Sequence, residues 1–181
     1  MRRGELLGLR WCDVDLDMAA LSVVQALQRL HGGRYIVKEP KSSRGRRLIA
    51  LPPSLAIVLR QHMAQAEAQR ALLDLRLAET DLVFSHLDGA PLDPGTVTHS
   101  FRKIARKAGS FHVRFHDLRR THASLMLRAG VHPKIVSERL GHSTVSITLD
   151  TYSRVMPGLQ EAAALRFEEG LQDKEQIRRH V

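Results

Sequence analysis

The hydrophobic pattern of the chain divides at Pro52-Pro53. Ahead of it lie short apolar segments. Leu6, Leu7 and Leu9 sit between Arg and Glu and predict a short helix over 3–10, and Trp11 to Asp17 reads as an Asp-rich turn. Leu21 to Gln25, Tyr35 to Lys38 and Arg47 to Leu51 are β-branched or alternating, separated by Gly32-Gly33 and by Ser42-Ser43-Arg44-Gly45. Such punctuation predicts a small antiparallel meander.

Beyond Pro53 the period becomes helical. Leu55, Leu59, His62, Met63 and Ala66 predict a long helix over 54–74, followed by a short buried segment at Val83-Phe84 and a loop with Asp88-Gly89. Asp93-Pro94 has the form of an N-cap with first-turn proline, opening a helix to about Ala108 that Gly109 stops. His116 to Ala129 places Leu118, His122, Leu125, Met126 and Ala129 on one face, with Gly130 at the end. Pro133 to Leu140 is a short helix closed by Gly141, and a further helix capped by Ser143 or Thr144 runs through Tyr152. Pro157 opens a last helix with Leu159, Ala163, Phe167 and Leu171 at four-residue intervals, and residues 173–181 read as a flexible tail. The fold class expected is α+β, mainly α-helical, with a small three-stranded antiparallel sheet.

Composition narrows the function. The 181 residues suffice for one compact domain, and 43% are hydrophobic. No apolar run reaches the roughly 20 residues of a membrane-spanning helix, and no apolar signal region follows the two arginines at the start, so a cytoplasmic location is expected. The single cysteine, Cys12, excludes an internal disulfide and any cysteine-based zinc cluster. His112, His122 and His132 suggest a metal site. His116 and His122, however, are six apart and share no helix face, and no acid completes a ligand set. A net charge of +9 favours a polyanionic partner, and with only 4% aromatic residues duplex-backbone contact is favoured over base stacking.

Candidate chemistry sits in two runs. In His116-Asp117-Leu118-Arg119-Arg120-Thr121-His122, His116 and Arg119 are three apart and share a helix face. An imidazole beside a forked guanidinium suits a phosphate. A helix N-terminus with a solvated arginine face displays the same pair. In the second run, Leu140-Gly141-His142-Ser143-Thr144 leads into Leu149-Asp150-Thr151-Tyr152, with Tyr152 ten residues beyond His142.

Together these runs resemble the signature of the tyrosine recombinases of the phage integrase type: His-x-x-Arg, then Leu-Gly-His, then a tyrosine. The start, Arg2-Arg3-Gly4-Glu5-Leu6-Leu7, resembles the family's block Arg-x-x-Glu-Leu, and Pro40-Lys41-Ser42-Ser43 resembles its lysine-bearing hairpin. The resemblance implies the DNA breaking-rejoining enzyme fold over residues 1–172. The family's N-terminal core-binding domain and the helices before its first arginine have no counterpart in the sequence.

It also implies a cofactor-free transesterification on double-stranded DNA. Tyr152 would attack the phosphorus, leaving a 3′-phosphotyrosyl link and a 5′-hydroxyl. His116 would take or orient the phenolic proton. Arg2 and Arg119 would clamp the non-bridging oxygens, His142 would donate a further hydrogen bond, and Lys41 would protonate the leaving oxygen. Glu5 would orient Arg2 or His116. Arg44, Arg46, Arg47 and Arg120 are the expected DNA-backbone contacts. The C-terminal helix would either dock onto a neighbouring subunit in a homo-oligomer on DNA or fold back on its own core, and nucleoid association is expected. A type IB-like topoisomerase and a catalytically impaired DNA-binding remnant of an integrase remain open alternatives.

Overall fold

The computed structural model describes residues 1–39, 45–155, 164–165 and 167–168, with the side chains of 152–155 not described. Helix α1 (Arg3–Leu7) is followed by a 3-10 turn at Trp11–Asp13 and by strands β1 (Val14–Asp15), β2 (Ala20–Val23), β3 (Ala26–Arg29), β4 (Tyr35–Lys38) and β5 (Arg47–Ala50). The helical part comprises α2 (Pro53–Ala71), α3 (Pro94–Lys107), α4 (Phe115–Arg128), α5 (Pro133–Leu140) and α6 (Ser146–Val155). The expected α+β class with a three-stranded antiparallel sheet holds. Among the described residues no helix is long and apolar enough to cross a membrane.

The sheet differs from the expected meander in its membership. β2 lies between β1 and β5, with Leu21 opposite Ile49, whereas β3 and β4 form a separate hairpin with Leu27 opposite Val37. The single segment read over 21–25 is therefore the end of one sheet and the approach to another. At the break, the Gln25 side chain donates to the Gly8 carbonyl at 2.7 Å. The hairpin rests on α1 through two glycines one turn apart. A Cβ at Gly4 would lie 2.7 Å from the Leu27 oxygen, and one at Gly8 would lie 2.9 Å from the Leu27 nitrogen. The helix approaches that backbone more closely than any side chain allows.

Two cores hold these layers. Leu9, Trp11, Leu21, Val23, Ile49, Leu51, Leu59 and Val83 form the first, between the three-stranded sheet and α2. Ala123, Leu127, Val136 and Leu140 form the second, between α4 and α5. Of the α4 face that groups Leu118, His122, Leu125, Met126 and Ala129, Met126 packs against the second core while Leu118 and Leu125 are 47% and 58% exposed; the buried residues are Arg119, Ala123 and Leu127. Those three recur every four residues and point at α5, so a buried cation shares the packing stripe with two apolar residues.

Helix ends follow local chemistry. Asp93 caps α3 by accepting from the Thr96 N–H at 2.8 Å, and Gly141 closes α5 in the left-handed region at φ +66. Helix α1 stops at Leu7 and α2 at Ala71, short of the expected 10 and 74. The expected helix from Pro157, the tail 173–181 and the hairpin turn with Lys41 and Arg44 lie outside the described residues, apart from helical backbone at 164–165 and 167–168.

Leu127 is fully buried and Leu125 faces solvent. Leu127→Ala should therefore lower the unfolding free energy by about 3 kcal/mol, and Leu125→Ala by less than about 0.5 kcal/mol, in denaturant titrations of the two variants.

Candidate active site

The site is organised by the C-terminal end of α5. Three consecutive carbonyls there each accept from a different arginine. Arg47 Nε donates to Arg139 O at 2.9 Å, Arg119 Nη2 to Leu140 O at 2.6 Å, and Arg2 Nη2 to Gly141 O at 3.0 Å. The last carbonyls of a helix lack intrahelical partners and carry the negative end of its dipole, so guanidinium groups satisfy both needs. The arginines come from β5, α4 and the N-cap of α1. One short helix end thus joins residues more than 100 positions apart.

Glu5 holds two of them. Its carboxylate accepts from Arg2 Nη1 at 2.8 Å, from the Arg2 backbone N–H at 2.7 Å and from Arg47 Nη2 at 2.7 Å. The Arg47 and Glu5 side chains are each 6% exposed, whereas that of Arg2 is 49% exposed. Burial alone would raise the Glu5 pKa. The Arg47 and Arg2 hydrogen bonds outweigh it and hold the carboxyl at about 2.

Arg47 is accordingly not the surface phosphate anchor that its basic neighbourhood suggests. All its nitrogens are engaged by Glu5, Gly45 O and Arg139 O. Arg139 answers by donating to Ala50 O at 2.7 Å, so β5 and α5 are strapped together in both directions. Gly141 is required twice here. Its φ is left-handed, and an added Cβ would sit 2.7 Å from Arg47 Nη1.

His116, Arg119, Arg120, His142 and Thr151 line one cavity of about 470 Å³. Arg119 is 9% exposed, and its Nη1 is buried with no hydrogen-bond partner among the described residues. Burial, with the Arg2 and Arg47 charges, lowers Arg119 to about 10, so it stays charged at neutral pH. His142 is lowered to about 4 by burial and by Arg119, Arg2 and Arg47, so its ring is neutral. Its Nδ1 lies 2.8 Å from Thr148 Oγ1. Asp117 receives the Arg114 backbone N–H at 2.9 Å and thereby caps α4, fixing the turn that carries His116 and Arg119.

The sequence-selected residues divide accordingly. Arg2, Glu5, His116, Arg119 and His142 are brought together. Tyr152 is one turn beyond Thr148 on α6, and its side chain lies outside the described residues, as do Lys41 and Arg44. Arg46 is exposed and paired with Glu39, and Arg120 is exposed at the cavity. Sequence reasoning missed Thr148 and the clamping roles of Arg47 and Arg139. The four-residue step from Thr148 to Tyr152 was an available signal for the first. Nothing in the sequence distinguished Arg47 from Arg44 and Arg46.

The fold and the site define an α+β domain with a pocket lined by cationic side chains. Residues 1–157 match the phage integrase family, and the chain belongs to that family. It is 32% identical over 168 residues to a XerC-like tyrosine recombinase of Caldanaerobacter subterraneus subsp. tengcongensis, covering 87% of this chain and 43% of that protein. It is 26% identical over 164 residues to the ICEBs1 integrase of Bacillus subtilis, covering 91% and 44%. The chain therefore spans less than half the length of these curated relatives. Among solved structures it is similar to the Tn1549 transposon integrase in complex with circular intermediate DNA, at a TM-score of 0.75 and 22% identity over 92% of this chain and 56% of that one. XerA recombinase is similar at a TM-score of 0.63 and 24% identity, over 91% and 53%. Both likenesses show the fold.

Glu5 binds its proton far less readily folded, at about 2, than at its ordinary 4.5. Its stabilising contribution is complete above about pH 4.5 and is lost as pH falls through about 2. Glu5→Gln, which leaves Arg47 buried without its counter-charge, should cost about 3–5 kcal/mol at pH 7 and flatten the acid limb of stability against pH. An unchanged denaturation midpoint and acid limb would show the pair to be idle.

Proposed function

We propose that this chain carries the catalytic centre of a site-specific DNA recombinase, which cleaves and rejoins duplex DNA through a 3′-phosphotyrosyl intermediate. The observation that carries the reading is the buried Arg119 guanidinium. It has one arm fixed on Leu140 O, its Nη1 has no hydrogen-bond partner among the described residues, and it lines a cavity together with His116 and His142. A buried donor without an acceptor is costly, and a phosphate oxygen is the acceptor its charge and geometry fit.

In the reaction, the Tyr152 oxygen forms a bond to phosphorus as the bond from phosphorus to the 5′-oxygen breaks. His116 takes the phenolic proton and Lys41 supplies one to the leaving 5′-oxygen. Charge gathers on the non-bridging oxygens at the transition state. Arg2 and Arg119 meet it there, and neutral His142 adds a hydrogen bond. Religation reverses the step, so phosphodiester energy is kept in the covalent link. Arg46, Arg120 and Arg44 supply backbone contacts on the duplex, which make affinity salt-dependent. Assembly into a homo-oligomer on DNA through the segment that follows Pro157, and residence at the nucleoid, complete the proposal.

A nicked suicide duplex tests it. The wild-type chain should accumulate a covalent protein–DNA adduct, and Tyr152→Phe should abolish it. Arg119→Ala should slow cleavage by at least roughly 100-fold while leaving duplex affinity within a few fold. A duplex shift with no adduct would assign the chain to non-catalytic DNA binding. Relaxation of supercoiled plasmid without sequence preference would assign it to a topoisomerase.

A further inference from the structure

Thr148 has no place in the mechanism above, yet it is fully buried and bonded to His142, which lines the pocket. Its hydroxyl is the partner of His142 Nδ1, at 2.8 Å. Each ring nitrogen of a neutral imidazole either donates or accepts, and the hydrogen bond at one nitrogen sets the role of the other. The direction of this bond therefore decides what His142 offers the cavity.

We infer that Thr148 is a positioning residue: its hydroxyl donates to His142 Nδ1, placing the ring proton on Nε2 and so making that nitrogen the donor available to a phosphate in the cavity. The inference rests on the DNA-cleaving reading for its consequence, though not for its geometry. Three observations lead to it. First, a buried hydroxyl hydrogen needs an acceptor. Among the described residues no carbonyl accepts from Thr148 Oγ1, whereas its neighbour Thr151 bonds back to the Ile147 carbonyl at 3.2 Å. Nδ1 is the acceptor within reach. Second, the charged groups acting on the His142 ring are the guanidinium groups of Arg119, Arg2 and Arg47, a setting in which a second ring proton is disfavoured and the neutral ring is kept. Third, Thr148 belongs to α6 and precedes Tyr152 by one turn, while His142 follows the Gly141 cap of α5. The bond therefore ties the helix that carries the proposed nucleophile to the helix end that gathers the arginines. If the nucleophile's helix shifts, the donor's tautomer is no longer fixed.

The test uses the full chain without DNA for the tautomer and with a nicked duplex for the rate. Nitrogen-15 spectra of the histidine rings, with His142 assigned by its loss in His142→Gln, should show a protonated Nε2 and an unprotonated Nδ1 near neutral pH. Thr148→Val keeps the shape and removes the hydroxyl. It should give a mixture of tautomers and slow single-turnover cleavage by roughly 10- to 100-fold, with duplex affinity within about twofold. Thr148→Ser restores the hydroxyl and should restore both the tautomer and the rate to within about threefold. A purely structural role would make cleavage follow folded fraction and leave the His142 tautomer unmoved. A protonated Nδ1 in the wild type, or a valine variant with unchanged tautomer and rate, overturns the inference. Should the valine variant fail to fold, the wild-type spectrum and the serine variant still decide. If the wild type forms no adduct on DNA, the functional reading falls, while the tautomer result still settles the role of Thr148.

Discussion

The structure depends on the open end of a single short helix. Carbonyls 139, 140 and 141 of α5 have no helical partners of their own, and each is taken by a guanidinium from a distant segment. Bringing three cations so close is unfavourable, and burial together with the neighbouring arginine charges lowers the affinities of Arg119 and His142 for protons. The helix-end dipole and the buried Glu5 carboxylate offset that repulsion. Three cations against one carboxylate leave about two positive charges, which in the proposed reaction would match a phosphodiester on its way through a five-coordinate transition state better than its ground state. Under the proposed function such a pocket would be prepared for the anion before it arrives, with little reorganisation left to make.

Backbone proximity is the second part of this constraint. Gly141 lets the Arg47 guanidinium lie against the helix end, and Gly4 and Gly8 let α1, which carries Glu5, lie on the backbone of β3. The pocket is therefore fixed from two sides: from β5 and α5 through the Arg47–Arg139 strap, and from the β3–β4 hairpin through α1. A side chain at any of the three glycines moves an element that holds a charge.

Much of the helical part was legible because its boundaries are written in local chemistry. Asp93-Pro94 opens α3, and Gly130 and Gly141 follow α4 and α5 closely. The pairing of Arg119 with His116 was visible in its three-residue step. What was hidden depended on tertiary contacts. Alternation identifies strand segments without saying which neighbours they choose, so β4 was assigned to the wrong sheet. On α4 the larger apolar side chains at 118 and 125 compete in pattern with Ala123 and Leu127, but the helix turns Arg119 inward to reach α5, and they are exposed. Arg47 is one of three arginines in a basic run, and only the position of Glu5, 42 residues earlier, turns it from a solvent-facing charge into a buried strut. Thr148 is marked in the sequence only by its four-residue step to Tyr152, because its partner His142 lies outside its own helix.

The central claim is that Arg119 and Arg2, held by α5 and Glu5, form a preassembled anion site. A crystal structure of the chain with orthovanadate, a mimic of five-coordinate phosphorus, tests it most directly. Vanadate oxygens should lie within hydrogen-bond distance of the Arg119 guanidinium, Arg2 and His142 Nε2, with the bonds from Arg47 to Glu5 and to Arg139 O intact. Vanadate bound elsewhere, or bound only after Arg47 leaves Glu5 and the α5 carbonyls lose their arginines, would contradict it.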